Sequence, residues 1–569
     1  MANKILRLKF RSIILFNVVA AICAGQSVVD SKHNLSVSGP GTVTATSESE
    51  VCIFCHTPHN SNPRKPLWNK ADPGIIYDLY GSSTLDADLG QPDGSSILCL
   101  SCHDGTIALG NILSRTEEIA MNSGISGMPT GPSNLSTNIS DDHPLSFLYN
   151  ATLSATDGEL TDPEGLTGPV TLENERLQCT SCHDPHKDLF GKFLVTTNQN
   201  STLCLFCHKK VTWNGSTHNS SISGWNGSGN DPWFHTEYNT VAENGCENCH
   251  NPHSAGGPER LTNYLPEENN CLDCHNGNVA GKNIQTDLMK SYRHDVFTYQ
   301  QVHDPQENTI VQQRHVECTD CHNPHASNGI QASAPDANGY LTGLSGIDSD
   351  GSVVSEIQYE YQLCYRCHAD SPDKPGSPTS RQIEQNNVRL EFDPAGPSFH
   401  PVEVQGKNSS VPSLISPYTE SSYIYCTDCH ASDAGTSDAA GPHGSIYPHI
   451  LKYEYETADY TTESYQAYEL CYQCHDRDII INSTSNFGRF VHREHIVDLN
   501  TPCNACHDPH GISSDQGNET NNTHLINFDI SIVNESSGAF ASREFIDTGS
   551  FSGQCYLRCH GMNHNPRSY

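Results

Sequence analysis

Methionine, basic side chains and long apolar runs are all scarce in this chain of 569 residues. Beyond the first residue only Met121, Met128, Met289 and Met562 occur, so sulfur from methionine can serve few sites as a metal ligand. Lys and Arg number 31 against 66 Asp and Glu, for a net charge of −35. That deficit excludes nucleic acid, whose binders need a basic face, and disfavours anionic lipid surfaces; basic proteins or metal cations are the partners such a field attracts. The apolar run from Ile13 to Ile22 is too short to span a membrane, and no later stretch approaches the roughly eighteen apolar residues a span needs. Apolar residues make up 35% and charged residues 17%, beside 43 Gly and 32 Pro. Side chains alone would struggle to build a core in proportion to that length.

Cysteine and histidine are abundant, and they are ordered. Of 25 Cys, 24 form twelve pairs, each followed directly by His; only Cys23 is left over. Eleven pairs read C-x-x-C-H, against roughly 0.1 or fewer occurrences by chance at this composition. In that order two thiols form thioethers with one haem and the adjacent His supplies an axial ligand to its iron. A disulfide framework has no use for a His after every second Cys. Zinc knuckles do not require it either. Twelve covalent haem c groups are therefore expected, and they supply the apolar surface the side chains lack.

The pairs fall into six couples. Their first members are Cys52/Cys55/His56, Cys179/Cys182/His183, Cys246/Cys249/His250, Cys318/Cys321/His322, Cys426/Cys429/His430 and Cys503/Cys506/His507. The second members are Cys99/Cys102/His103, Cys204/Cys207/His208, Cys271/Cys274/His275, Cys364/Cys367/His368, Cys471/Cys474/His475 and Cys555/Cys559/His560. The last has three residues between its thiols. The named His are the proximal ligands of this reading. Five first members continue as C-H-x-P-H, giving His59, His186, His253, His325 and His510; in the fifth couple Pro442-His443-Gly444 resembles Pro509-His510-Gly511, so His443 is preferred to His449. A His three residues beyond the proximal one cannot reach the far face of the same haem, and the spacing predicts that it ligates the next haem of its couple.

At least one further His precedes each couple. His33, His143, His235, His294, His400 and His492 complete the set of candidate distal ligands, His294 being preferred to His303 and His315, and His492 to His495. His235 and His492 share a spacing of eleven residues to the next Cys. Twelve proximal and twelve distal positions leave seven of the 31 His as spares, among them His218, His524 and His564. Filling both axial positions leaves no iron open for substrate, which favours an electron carrier over a catalyst. The alternative is a reductase with one open haem acting on a nitrogen or sulfur oxyanion.

Lys4, Arg7, Lys9 and Arg11 precede the apolar run, and Ala24 and Gly25 follow it, as in a secretory signal peptide. Ile22 before Cys23 departs from the small residue a lipidation site wants. Export to the periplasm, the outer-membrane surface or the outside is expected, and no transmembrane span. Residues 121–142, 209–230, 371–380, 403–418 and 431–442 are polar connectors. Asp348-Ser349-Asp350-Gly351 is a turn and not a calcium loop, lacking the remaining oxygen ligands. The predicted fold is mostly irregular coil with short helices, a stack of six dihaem units behind residues 1–25: residues 26–135, 136–228, 229–288, 289–385, 386–485 and 486–569.

C-x-x-C-H-x-P-H followed by a second C-x-x-C-H resembles the doubled-motif multihaem c-type cytochromes of metal-reducing and related anaerobic bacteria. The resemblance runs from His33 to Tyr569. It implies a periplasmic or extracellular electron carrier whose partners are redox proteins or extracellular and metal acceptors, working as a soluble chain, seated in an outer-membrane porin, or associated into a filament.

Overall fold

The computed structural model describes residues 27–569 apart from 64, 300–314, 373, 436–438, 486 and 539–540. The basic N-terminal stretch, Cys23 and His303 lie outside the described residues. The chain is mostly coil, as Gly, Pro, Asn and Ser at this frequency dictate. Its three longest α-helices, Gly94–His103 (α1), Glu267–His275 (α2) and Glu360–His368 (α3), each end on the histidine of a second-member motif. At the start of α3 the Gln362 side chain accepts hydrogen bonds from the backbone N–H groups of Gln358 and Tyr359. No described helix is long and apolar enough to cross a membrane.

First-member motifs occupy single turns instead. In Cys179–Cys182, Cys318–Cys321 and Cys426–Cys429 the residue before the second Cys closes the turn. Ser181, Asp320 and Asp428 accept from the N–H of Gln178, Glu317 and Tyr425 at 3.1, 2.7 and 2.9 Å. The residue after the first Cys faces backwards, to the helix of the preceding couple. Thr180 Oγ1 lies 2.7 Å from Ser95 Oγ on α1. The Thr319 N–H donates to Glu267 on α2 at 2.9 Å, and Thr427 donates to Glu360 on α3 from both its N–H and its hydroxyl. One small contact thus recurs at three junctions between couples.

Short antiparallel bridges tie more distant segments. Tyr292–Arg293 pairs with Gly444–Ser445, and Ser398–Phe399 with Gly511–Ile512. Each bridge brings a segment before one Cys couple against the Pro-His-Gly of the next. A Cβ on Gly444 would sit 1.9 Å from the Asp287 carbonyl oxygen, and one on Gly511 2.2 Å from that of Glu391, so both positions need glycine for the close approach. Asp348 to Gly351 forms the turn of a hairpin between Gly346–Ile347 and Val353–Val354.

Buried apolar side chains do not merge into one core. They fall into separate small clusters, such as Phe54, Leu109 and Met121 beside the first couple and Tyr361, Tyr365 and Phe399 around α3. Cysteines of the motifs pack on these clusters. Backbone carbonyls satisfy some of the buried polar groups. The fully buried Lys70 ammonium donates to the carbonyls of Ala108, Leu109 and Asn111. The chain ends in a three-stranded antiparallel sheet of Glu544–Gly549 (β1), Ser552–Cys559 (β2) and Met562–Ser568 (β3).

Burial pushes the Glu360 carboxyl up to about 7, against the Thr427 hydrogen bonds that favour its charged form. Its folded value lies above the unfolded one, so its contribution to stability is present at low pH and lost as pH rises from about 4.5 through about 7. Glu403 acts in the same sense. Urea unfolding of the Glu360→Gln variant is expected to show a shallower fall in stability over that interval than the parent; an identical slope would mean that the carboxyl does not titrate at the junction.

Candidate haem-binding row

In eleven of the twelve motifs the backbone holds the histidine beneath the thiols. The His N–H of residues 56, 183, 208, 250, 322, 430, 475 and 507 bonds the carbonyl of the first Cys at 2.8–3.0 Å. His103, His275 and His368 do the same work as the last residues of α1, α2 and α3. Two thiols at i and i+3 on one turn then point to one side, with the imidazole at i+4 below them.

The cysteines form one row that follows sequence order. Within couples the second Cys of one motif faces the next motif: Cys55 feels Cys102, Cys182 feels Cys207, Cys249 lies by Cys274, Cys321 by Cys364 and Cys367, Cys429 by Cys474, and Cys506 by Cys555 and Cys559. Between couples the contact passes through first cysteines. Cys99 meets Cys179, Cys204 meets Cys246, Cys271 meets Cys318, Cys364 meets Cys426, and Cys471 meets Cys503, each pair within hydrogen-bonding reach. The two kinds of neighbourhood, electrostatic reach within couples and hydrogen-bonding reach between them, alternate along the row. Burial pushes Cys55 and Cys182 up to about 12, so these sulfurs sit in surroundings that suit a neutral thioether.

Histidines face one another at a nearly constant distance. Ring centres lie 6.1–6.2 Å apart for His33 and His103, His56 and His186, His143 and His208, His183 and His253, His218 and His275, His250 and His325, His294 and His368, His322 and His443, His430 and His510, and His492 and His507. His475 lies within electrostatic reach of His400. The pairs obey two rules. A second-member histidine meets a histidine upstream of its own couple. A first-member histidine meets the Pro-His of the following couple: His186 stands opposite His56, and not opposite His208 of its own couple as the spacing predicts. The last couple has no successor, and its His507 meets His492.

Many of the rings are aimed by their other nitrogen. Nδ1 of His183, His250, His430 and His507 bonds the carbonyl of Lys192, Arg260, His449 and His524 at 2.8–3.0 Å. Those four carbonyls stand at left-handed turns, with positive φ at Lys192, Leu261, His449 and His524. This explains two spare histidines by their backbone, a role the sequence reading did not reach. On the opposite side Nδ1 of His33, His218 and His294 bonds the carbonyls of Pro185, Pro324 and Pro442 at 3.1, 3.0 and 2.9 Å, and His400 bonds that of Pro509. Each of these prolines belongs to the Pro-His of the next couple. With Nδ1 so engaged, Nε2 faces the opposing ring.

Burial lowers His183, His208, His275, His430, His443 and His475 to about 4, so these rings are neutral at pH 7, the form that binds a metal. For His510 burial also lowers the value, but the Glu391 carboxylate 2.8 Å from Nδ1 outweighs it and the net shift is upward.

Two predicted distal residues stand elsewhere. His59 is exposed. His235 packs its ring edge-on to Phe234 at 4.9 Å, while His218 takes the place opposite His275. The physical reason is the Pro324 carbonyl, which anchors His218. A signal for it existed: the upstream histidines of the first, second, fourth and fifth couples stand 19 to 36 residues before the next Cys, and His218 at 28 falls in that range where His235 does not. His315, Glu317 and Asp320 cluster beside the fourth couple, where Glu317 and Asp320 close the turn of its first motif.

The C-terminal motif is built differently. Cys555 and Cys559 lie on the extended strand β2, and His560 sits with Gly561 at positive φ in the turn before β3. His560 Nε2 is 2.8 Å from Asp459 and its ring stacks on Tyr460. His495 instead faces His564, at 6.2 Å.

The residues fit the group the motifs imply. Two imidazoles bound through Nε2 to one metal at about 2.0–2.1 Å each have ring centres about 6.2–6.4 Å apart, and the pairs stand at 6.1–6.2 Å. His443 and His564 each keep a buried Nδ1 with no partner among the described residues. A family model described as a doubled CXXCH motif matches residues 172–212, 239–280 and 416–479, each span holding both members of one couple, the second, third and fifth. No curated protein matches the chain at a significant level. Thiol turns, paired imidazoles and the repeated motif agree, and in these three regions the chain carries the doubled CXXCH motif of multihaem c-type cytochromes.

Proposed function

We propose that this cytochrome is an exported twelve-haem electron conduit in which every iron is held between two histidines and the haems follow one another in sequence order. The observation that carries this reading is the set of histidine pairs at 6.1–6.2 Å, beside cysteines that neighbour one another in sequence order. Haem c bound at these sites supplies one-electron chemistry at its iron. The chain's own residues order the sites, orient the ligands and keep water away. Motif turns fix the thiol edges, Nδ1 bonds fix the imidazole planes, and the apolar clusters cover what lies between.

The six-unit division follows, with a modification. Each unit after the first lends its Pro-His to the unit before it, so the boundaries at residues 135, 228, 288, 385 and 485 mark repeats in sequence that interlock in space. Histidine at both axial positions supports a carrier over a reductase, for it leaves no open coordination position. Methionine ligands, which raise haem potentials, have no place in the paired sites, so low potentials are expected. The basic and apolar N-terminal stretch supports export. The charge of −35 favours basic redox proteins or metal cations as partners.

Intact mass of the mature protein is expected to show twelve haem additions; a smaller number removes the full row. Magnetic circular dichroism of the oxidised protein should find only low-spin haem, with no carbon monoxide bound after reduction. A high-spin, gas-binding haem in the parent protein would sink the conduit reading and restore the reductase. Replacing His218 with Ala should create one high-spin haem, whereas His235→Ala should create none; the reverse result would return the third couple's distal role to His235.

A further inference from the structure

The geometry points to His564, and not the motif histidine His560, as the axial ligand that faces His495 at the C-terminal site. This rests on the multihaem reading above and departs from it at one position. A C-x-x-C-H motif delivers its histidine because the backbone winds into a turn, closed by the His N–H on the first Cys carbonyl in eight sites and by an α-helix in three more. At the C-terminus that turn does not form. Cys555 is instead paired in the sheet, to Phe545 on β1 and Arg567 on β3.

Extended backbone changes what three intervening residues mean. Side chains alternate across a strand, so Cys555, Leu557 and Cys559 share one face of β2. Both thiols pack on the cluster that contains Leu557. The residue after Cys559 would point away, and here it leaves the strand altogether. His560 and Gly561, with φ of 48° and 78°, form a two-residue hairpin turn. The His560 ring is held by Asp459 and Tyr460.

The face with the thiols finds its histidine on the neighbouring strand. Leu557 pairs directly with His564, which places the imidazole on the side of Leu557 and Cys559; a register shift separates this pair from that of Cys555 with Arg567. His564 is buried between exposed neighbours, and its Nδ1 has no partner among the described residues. Its ring centre stands 6.2 Å from that of His495, the separation found in the ten other pairs. His495 is itself aimed, its Nδ1 donating to the Val491 carbonyl at 2.5 Å. The segment Phe487–Asp498 that carries it is wound wider than an α-helix, so that His492 and His495 turn to different partners, His507 and His564. One segment therefore serves both sites of the last couple.

The test uses the full-length haem-loaded protein and reads spin state by magnetic circular dichroism, with intact mass for haem content. His564→Ala and His495→Ala should each convert one haem per chain to a high-spin, carbon monoxide-binding form. His560→Asn, which keeps a residue tolerant of positive φ in the turn, should leave all haems low-spin and the haem count unchanged. An unchanged spectrum in His564→Ala or His495→Ala overturns the assignment, as does a high-spin or missing haem in His560→Asn. His253→Ala separates this from the underlying reading. If that variant also produces no high-spin haem, paired-histidine ligation itself fails; if it does while His564→Ala does not, only the C-terminal assignment falls.

Discussion

The hydrogen bond from an upstream histidine to a proline carbonyl in the following couple organises this molecule. His33 to Pro185, His218 to Pro324, His294 to Pro442 and His400 to Pro509 repeat it across the chain. Proline suits the position because it lacks an N–H and fixes its own φ, leaving a carbonyl free to accept at a set angle. One bond does two things. It leaves the Nε2 of the upstream ring toward a second-member histidine, and it holds the next residue, the histidine of the Pro-His, where it meets a first-member histidine. Two pairs in one couple are thereby referred to a single point of the next.

Such an arrangement tolerates a polar, glycine-rich chain. Conformational entropy is costly to overcome when apolar side chains are few, and the apolar clusters here are small and scattered. Order is imposed instead by many short-range polar devices: Asp320 and Asp428 closing turns, Thr319 and Thr427 docking on Glu267 and Glu360, and left-handed carbonyls at Lys192 and His449. Each is worth little alone. Their recurrence at equivalent places, around sites that a large apolar cofactor would fill, is what makes the chain specify one structure.

The turns that carry the C-x-x-C-H motifs were legible in the sequence because they are local. A five-residue motif fixes its own turn, so Cys179, Cys182 and His183 need no knowledge of the remainder. Pairing was not legible, since it is decided by contacts between couples. Spacing from His183 to His186 argues against the same haem but is silent on whether the facing ring is His208 or His56. The two-residue bridges that settle it, such as Phe399 against Gly511, carry no periodic signal of their own. His235 illustrates a false regularity, an eleven-residue spacing shared with His492, which sits in the one couple that lacks a successor. His564 was hidden for another reason. The motif presumes a turn, and a strand with one more residue between its thiols obeys different rules.

The interlock also bears on how such a chain lengthens. A unit inserted anywhere before the last brings a Pro-His for its predecessor and offers its own first-member histidine to its successor, so the row grows without any unit being redesigned. Only the ends are special. The segment Phe487–Asp498 closes one end: beside His495, its own upstream histidine, it supplies in His492 the partner of His507 that the Pro-His of a further unit would have brought. At the other end His59 stands exposed. The molecule has the grammar of a polymer with a terminator, and six is a number of repetitions that the fold itself does not enforce.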